Sequence, residues 1–415
     1  MTININEIKK GKLIEGDSIK ELKRIPSDSI DQVITDPPYG LKYHTFQWDK
    51  QQATIDIWKD VLRVLKPGAF AFVMSAARQD LLLNQTMVLQ KAGFFIGFSS
   101  LYWIYKTGTQ HGKNMEKAMS DQPNSKDYKN SFAGFQPKPA TEVILVAMKP
   151  LYKKDYTEQA MDNGKGITFV GNCKTTFLNK KNELETRNMS NIVVSDKALD
   201  FFDEDSGNIE CEDYEGNSFR FSLDLWAKYT FPYFIVPKAS KKEKDFGLMR
   251  LPYQKVEYRK KGLKSYNTSL VPRPSYKKNI HPTVKPIKLM LYLVLLGSRK
   301  NEIVLDPFCG SGTTCLSAMF LERKFIGIEQ DPKSIEIAKE RLCSIKRVPE
   351  KKPSKASKLS EVKYIELKFK DQSVFDMESL PAAIDYALQN PEKNTVYENC
   401  EITSNYKSNK DHIWN

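Results

Sequence analysis

The sequence predicts an α/β fold built on an open sheet, and three observations carry that expectation. Two short runs rich in β-branched residues, Asp31-Gln32-Val33-Ile34-Thr35 and Glu302-Ile303-Val304-Leu305, read as buried strands. Each ends at an aspartate that opens a sharp turn, Asp36-Pro37-Pro38-Tyr39-Gly40 in the first case and Asp306-Pro307-Phe308-Cys309-Gly310-Ser311-Gly312-Thr313-Thr314 in the second. The second turn leads into the helix-like stretch Cys315 to Leu321 and then into Phe325-Ile326-Gly327-Ile328, a strand, glycine turn, helix, strand unit.

Near the amino terminus, Lys12-Leu13-Ile14-Glu15 reads as a short strand that turns at Gly16-Asp17-Ser18. After the strand at 31–35, Pro37 and Pro38 stop a helix from starting, so Asp36 is delivered at the carboxyl edge of the sheet, where open α/β sheets bind ligands. Late in the chain, His281-Pro282-Thr283-Val284-Lys285-Pro286 precedes an apolar helix-like run from Leu289 to Leu296. Gly310 and Gly312 let backbone approach a ligand closely. The glycine turn lacks the Lys-Ser/Thr ending of a phosphate loop and a third glycine at dinucleotide spacing, so ATP and NAD fit it poorly. Glu329, at the tip of the following strand, stands where a ribose diol would be gripped.

The two turns together describe one reaction, transfer of a methyl group to an amino group of a nucleic-acid base. An exocyclic base amine is a poor nucleophile because its lone pair is delocalised into the ring. A catalyst must hold both N–H bonds and aim the lone pair at the donor carbon. Asp36 supplies one acceptor and the Pro37 carbonyl a second, with Pro38 keeping the corner stiff. Tyr39 can stack on a base face. A sulfonium methyl brings its own leaving group, so neither a protein nucleophile nor a metal is needed. Read singly, the first run is also compatible with a surface turn and the second with a generic nucleotide fold.

These residues resemble an amino-directed DNA methyltransferase of the beta arrangement, in which the catalytic motif comes first, the recognition region next and the S-adenosyl-L-methionine motif last. The resemblance implies a Rossmann-like methyltransferase sheet with motifs in permuted order and covers residues 10–150 and 235–342. Gly16-Asp17 looks like the pair that lies near the cofactor, so Asp17 is expected there with Asp306, Pro307, Phe308, Gly310, Ser311, Gly312, Thr313 and Glu329. Trp58 to Gly68 resembles the family's helix and turn, Ala69 to Met74 its next strand and Thr141 to Ala147 a later one. The hexapeptide 281–286, with Thr283 and Lys285, resembles a cap whose helix N-terminus offers free N–H groups to the cofactor's carboxylate. An aspartate at the first motif position leans towards adenine, since members acting on cytosine more often carry serine there.

Composition fits this expectation. The 415 residues carry 64 Lys and Arg against 51 Asp and Glu, a formal net charge of +13, which favours a polyanionic partner such as double-stranded DNA. The six cysteines show no Cys-x-x-Cys pair and the four histidines are dispersed, which argues against structural zinc. No apolar signal core or run of about 18 apolar residues occurs, so an intracellular protein without a membrane span is expected.

The domain organisation expected is a first catalytic half at 1–150, a target-recognition insertion at 151–275, a second catalytic half at 276–345, and a linker and extension at 346–415. Residues 238–278 hold 13 Lys or Arg against three acids, interleaved with four tyrosines. Lys238, Lys241, Lys242, Arg250, Arg259, Lys260 and Lys261 are therefore the candidate DNA contacts. Lys238 to Asp245 also resembles the segment that precedes the cofactor cap in the family. The segment 200–215 carries eight acids without Lys or Arg and reads first as a plain exposed loop, one that should face away from DNA or mimic it. In the extension, 364–369 alternates like a strand and 379–388 could be a short helix. Glu366 and Lys368 echo a nuclease Glu-x-Lys pair, but no upstream acid completes it. A homodimer and a companion restriction endonuclease are compatible with the reading.

Because a base inside a duplex cannot reach Asp36, the target must swing out of the stack. The sequence expectation is N6-methylation of adenine in duplex DNA at a short fixed site. N4-methylation of cytosine, methylation of RNA and a non-catalytic DNA-binding subunit stay open as alternatives.

Overall fold

The structure is a computed structural model that describes residues 2–40, 52–105, 113–123, 125–135, 140–172, 174–178, 184–188, 190–194, 234–236, 238–256, 275–344 and 400–404. Arg259, Lys260, Lys261, the acidic segment 200–215 and the expected elements at 364–369 and 379–388 lie outside the described residues.

The strands, in chain order, are β1 (Gly11–Glu15), β2 (Ile30–Thr35), β3 (Leu65–Ala76), β4 (Leu101–Ile104), β5 (Thr141–Met148), β6 (Lys174–Leu178), β7 (Leu184–Asn188), β8 (Ile192–Val194), β9 (Phe234–Ile235), β10 (Gln254–Val256), β11 (Ser275–Lys277), β12 (Ile303–Asp306), β13 (Lys324–Glu329) and β14 (Cys400–Ser404). The helices are α1 (Ser18–Glu21), α2 (Ile55–Val64), α3 (Gln79–Ala92), α4 (Met115–Ala118), α5 (Tyr156–Asn163), α6 (Lys241–Lys244), α7 (Ile287–Gly297), α8 (Thr313–Phe320) and α9 (Pro332–Cys343).

Ten strands form one sheet in the order β14-β1-β13-β12-β2-β3-β5-β4-β8-β9. Pairing is parallel from β14 through β3, and β5 is antiparallel to both β3 and β4. From β12 the chain winds through α8 to β13 on one side, and from β2 through α2 to β3 on the other. The winding reverses between β12 and β2, although these strands lie some 270 residues apart, with Leu305 opposite Val33.

Alternation along the buried strands divides the core into two layers. Ile34, Phe72 and Met74 pack with α7 and α8 on one face, whereas Val33, Ala71 and Val73 pack with Trp58, Val61 and Leu89 of α2 and α3 on the other. Every residue of α7 except Lys288 is buried, as expected for a helix apolar on all sides. The central parallel strands β2 and β12 are buried along their whole length, having both faces covered.

Two domain expectations change in detail. The segment 151–275 is not wholly outside the ten-stranded sheet, because β8 and β9 extend it beyond β4. Within the extension, β14 pairs with β1 at the opposite edge. Both additions satisfy backbone groups that an edge strand would leave unpaired. Among the described residues, no helix is long and apolar enough to cross a membrane.

Candidate active site

The reversal of winding brings the two motif turns together. Asp36 follows β2, Asp306 ends β12, and the Thr35 hydroxyl donates to Asp306 Oδ1 at 2.8 Å. A cavity of about 810 Å³ opens above them, lined by Asp17, Asp36, Pro37, Pro38, Tyr39, Lys238, Thr283, Lys285, Asp306, Pro307, Phe308, Gly310, Ser311, Thr313 and Glu329 among others. Residues expected from three distant stretches of chain thus share one cleft. Gly312 does not line it. Its positive φ starts α8, and an added Cβ would stand 2.9 Å from the Ala338 Cβ, so this glycine serves the contact between α8 and α9.

The glycine turn is tied to its neighbours by backbone groups. The Gly310 N–H donates to Glu329 Oε2 at 2.9 Å, and the Asp331 N–H donates to Oε1 at 2.8 Å. Burial holds the Glu329 carboxyl above its ordinary range, partly opposed by these donors. A Cβ at Gly310 would meet the His281 imidazole at 2.9 Å, so the hexapeptide 281–286 packs directly against the turn. Asp17 caps α1 by accepting the Ile19 N–H at 3.0 Å, and the Ser18 hydroxyl donates to the Pro307 carbonyl. Beneath the turn, fully buried Arg341 donates through Nη1 to the Ser311 carbonyl at 2.8 Å and to Thr313 Oγ1 at 2.9 Å.

Asp306 is only 3% exposed, and burial pushes its carboxyl up to about 7 against the hydroxyls of Thr314 and Thr35 and the Phe308 N–H. Burial likewise lowers His281 to about 4, which keeps the imidazole neutral at physiological pH.

Around Asp36 the structure adds side-chain partners that the sequence did not indicate. Asp36 Oδ2 is ion-paired with Lys285 Nζ, and Oδ1 accepts from the Tyr39 hydroxyl at 2.6 Å. Lys285, expected with the cofactor, lines the same cavity as the cofactor candidates and also sits against Asp36, with its ammonium 5.7 Å from the Tyr39 ring centroid. Burial alone would depress that ammonium, but Asp36 and Glu142 reverse the effect and raise it. Burial and the same two carboxylates hold the Tyr39 hydroxyl well above its ordinary range, so it is a proton donor here.

At the helix cap, the Ile287 N–H at the start of α7 donates to Glu243 Oε1 at 2.6 Å, so one N–H of this helix start is taken by a carboxylate of the chain itself. Glu243 is held by a capping box with Ser240 at the start of α6. Of the expected DNA contacts, Lys241, Lys242 and Arg250 are exposed, while Lys238 enters the cavity with its ammonium 3.6 Å from the Tyr105 ring centroid.

Ser18, Trp103 and Glu142 line the cavity without having been singled out from the sequence. Glu142 did leave a signal, being a lone acid near the head of the apolar strand 141–148. Ser18 and Trp103 had none, since their positions depend on how β1 and β4 lie in the sheet.

An open, doubly wound α/β protein with its cavity at the reversal of strand order is the class that fold and cleft define. The chain belongs to the DNA methylase family, whose model, N6_N4_Mtase, matches residues 30–340. A methyltransferase-domain model also matches residues 298–411. The chain is 24% identical over 377 residues to the DNA adenine methyltransferase YhdJ of Escherichia coli (strain K12), covering 84% of this chain and 92% of that protein. It is 43% identical over 65 residues to the Type II methyltransferase M2.MboI of Moraxella bovis, and 46% identical over 72 residues to the Type II methyltransferase M.HinfI of Haemophilus influenzae. The chain spans only 24% and 20% of the length of those two relatives. Among solved structures, the cytosine-N4-specific PvuII DNA methyltransferase aligns with a TM-score of 0.42 at 16% identity, covering 92% of this chain and 93% of that one.

Proposed function

We propose that this chain is a site-specific DNA methyltransferase that moves a methyl group from S-adenosyl-L-methionine to the N6 amino group of adenine in duplex DNA. The observation that carries the reading is the shared cavity: the Asp36 corner and the glycine turn open into the same space of about 810 Å³. Similarity along most of the chain to a DNA adenine methyltransferase supports adenine as the target.

The residues of the cleft fit the cofactor. Glu329 has lone pairs left for a ribose diol after accepting two backbone N–H groups. Phe308 and Ile328 offer apolar surface beside it, while Asp17, Thr283, Ser311 and Thr313 offer polar groups. When bound, S-adenosyl-L-methionine supplies an electrophilic methyl on a positively charged sulfur. Asp36 accepts one hydrogen of the target amine and the Pro37 carbonyl the other, which leaves the nitrogen lone pair directed at the methyl carbon. The carboxylates around the amine stabilise the positive charge that develops on it. Lys241, Lys242 and Arg250 contact backbone phosphates, and that binding helps to offset the few kcal/mol, roughly, of base extrusion. The likeness to Type II methyltransferases makes a companion restriction endonuclease part of the reading.

The test is incubation with duplex DNA and cofactor labelled in its methyl group, followed by digestion to nucleosides. N6-methyladenine is expected. Label confined to cytosine refutes the adenine assignment, and label taken up by structured RNA in preference to duplex DNA refutes the substrate class.

A further inference from the structure

Each oxygen of Asp36 already accepts one donor, Oδ1 the Tyr39 hydroxyl and Oδ2 the Lys285 ammonium, so an incoming amine competes with both for the remaining lone pairs. A second carboxylate stands within reach of both donors. Glu142 Oε2 lies 3.2 Å from the Tyr39 hydroxyl oxygen and 3.3 Å from Lys285 Nζ. Its location follows from strand direction. Because β5 runs antiparallel to β3, its beginning lies at the edge where the parallel strands end, with Glu142 in register with Ala76 and with Trp103 of β4. The side chain is 18% exposed, so its charge is only partly screened.

We infer that Glu142 is a positioning residue that frees Asp36 for the target amine, by taking over the hydrogen bonds of the Tyr39 hydroxyl and the Lys285 ammonium when the base arrives. The inference rests on the proposed methyl transfer. Charge balance points the same way. Lys285 offsets one of the two carboxylates, so the cluster of Asp36, Glu142 and Lys285 keeps one net negative charge. In the transfer the N–C bond forms as the S–C bond breaks, with that electron pair staying on sulfur, and the methylated nitrogen is positive until it releases a proton to solvent. With Glu142 present, Asp36 faces that nitrogen with its charge uncompensated. Without it, Lys285 neutralises Asp36 and competes with the amine for its lone pairs.

The test measures methyl transfer to duplex DNA and cofactor binding by calorimetry for the wild type, Glu142→Gln, Lys285→Met, the double variant and Asp36→Ala. Glu142→Gln is expected to lower kcat roughly tenfold to a hundredfold, with cofactor Kd changed less than about twofold. Lys285→Met introduced into Glu142→Gln should recover part of the loss, because removing both charges restores a single negative charge at Asp36. Full activity of Glu142→Gln, or losses that simply add in the double variant, overturns the positioning role. If either result accompanies an inactive Asp36→Ala, the methyl-transfer reading stands and this inference alone falls. Absence of transfer by the wild type removes both.

Discussion

Thr35→Val tests the bond that joins the two motif strands. The substitution keeps the β-branched shape that suits β2 and removes only the hydroxyl, which is fully buried and donates to Asp306 Oδ1 at 2.8 Å. The Asp306 carboxyl, ordinarily near 3.8, titrates at about 7 in the folded chain. Between those limits the unfolded chain has released a proton that the folded chain retains. The group's contribution is therefore undiminished below pH 3.8 and is lost as pH rises through 7. A hydroxyl donor offsets part of that loss by favouring the ionised form. A hydrogen bond to an ionised partner is worth about 1.5–3 kcal/mol and one to a neutral partner about 0.5–1.5 kcal/mol. Thr35→Val should accordingly destabilise by about 2 kcal/mol at pH 8.5 and by about 1 kcal/mol or less at pH 5. Urea denaturation of both proteins at the two pH values measures the difference. A deficit equal at both, or absent at both, refutes the claim that this bond couples an ionising Asp306 to β2.

Three further outcomes are expected. Asp36→Ala should cut methyl transfer by about 10²–10³-fold, the effect of losing a preorganised group at the reacting centre, while leaving cofactor affinity nearly unchanged; steady-state kinetics with calorimetry separate the two. Glu329→Ala should weaken cofactor binding by about tenfold to a hundredfold, since charge-assisted hydrogen bonds to the diol and to the Gly310 N–H are lost, and calorimetry reports it directly. Gly312→Ala should destabilise by about 2–5 kcal/mol in thermal or chemical unfolding, combining the cost of a left-handed residue with crowding against Ala338.

Much of the catalytic frame is legible in the chain itself. The strands leading to Asp36 and Asp306 are short runs rich in β-branched residues, and the apolar residues 289–296 lie within the buried helix α7. The motif residues carried over by resemblance converge on one cavity, with Gly312 the exception. Partners that act over long separations were not legible. The Glu243 carboxylate accepts the Ile287 N–H at the start of α7, 44 positions on, and the Lys285 ammonium pairs with Asp36, 249 positions away.

The sequence by itself determined which residue types stand at the ends of the motif strands, because β propensity, the helix-stopping prolines and the freedom of glycine are local properties. Tertiary structure alone decided who faces whom. The reversal of strand order set β12 beside β2, and the antiparallel course of β5 carried Glu142 to the same edge. Both are consequences of packing buried strands into one sheet, where hydrogen bonding and burial act on segments regardless of their distance along the chain.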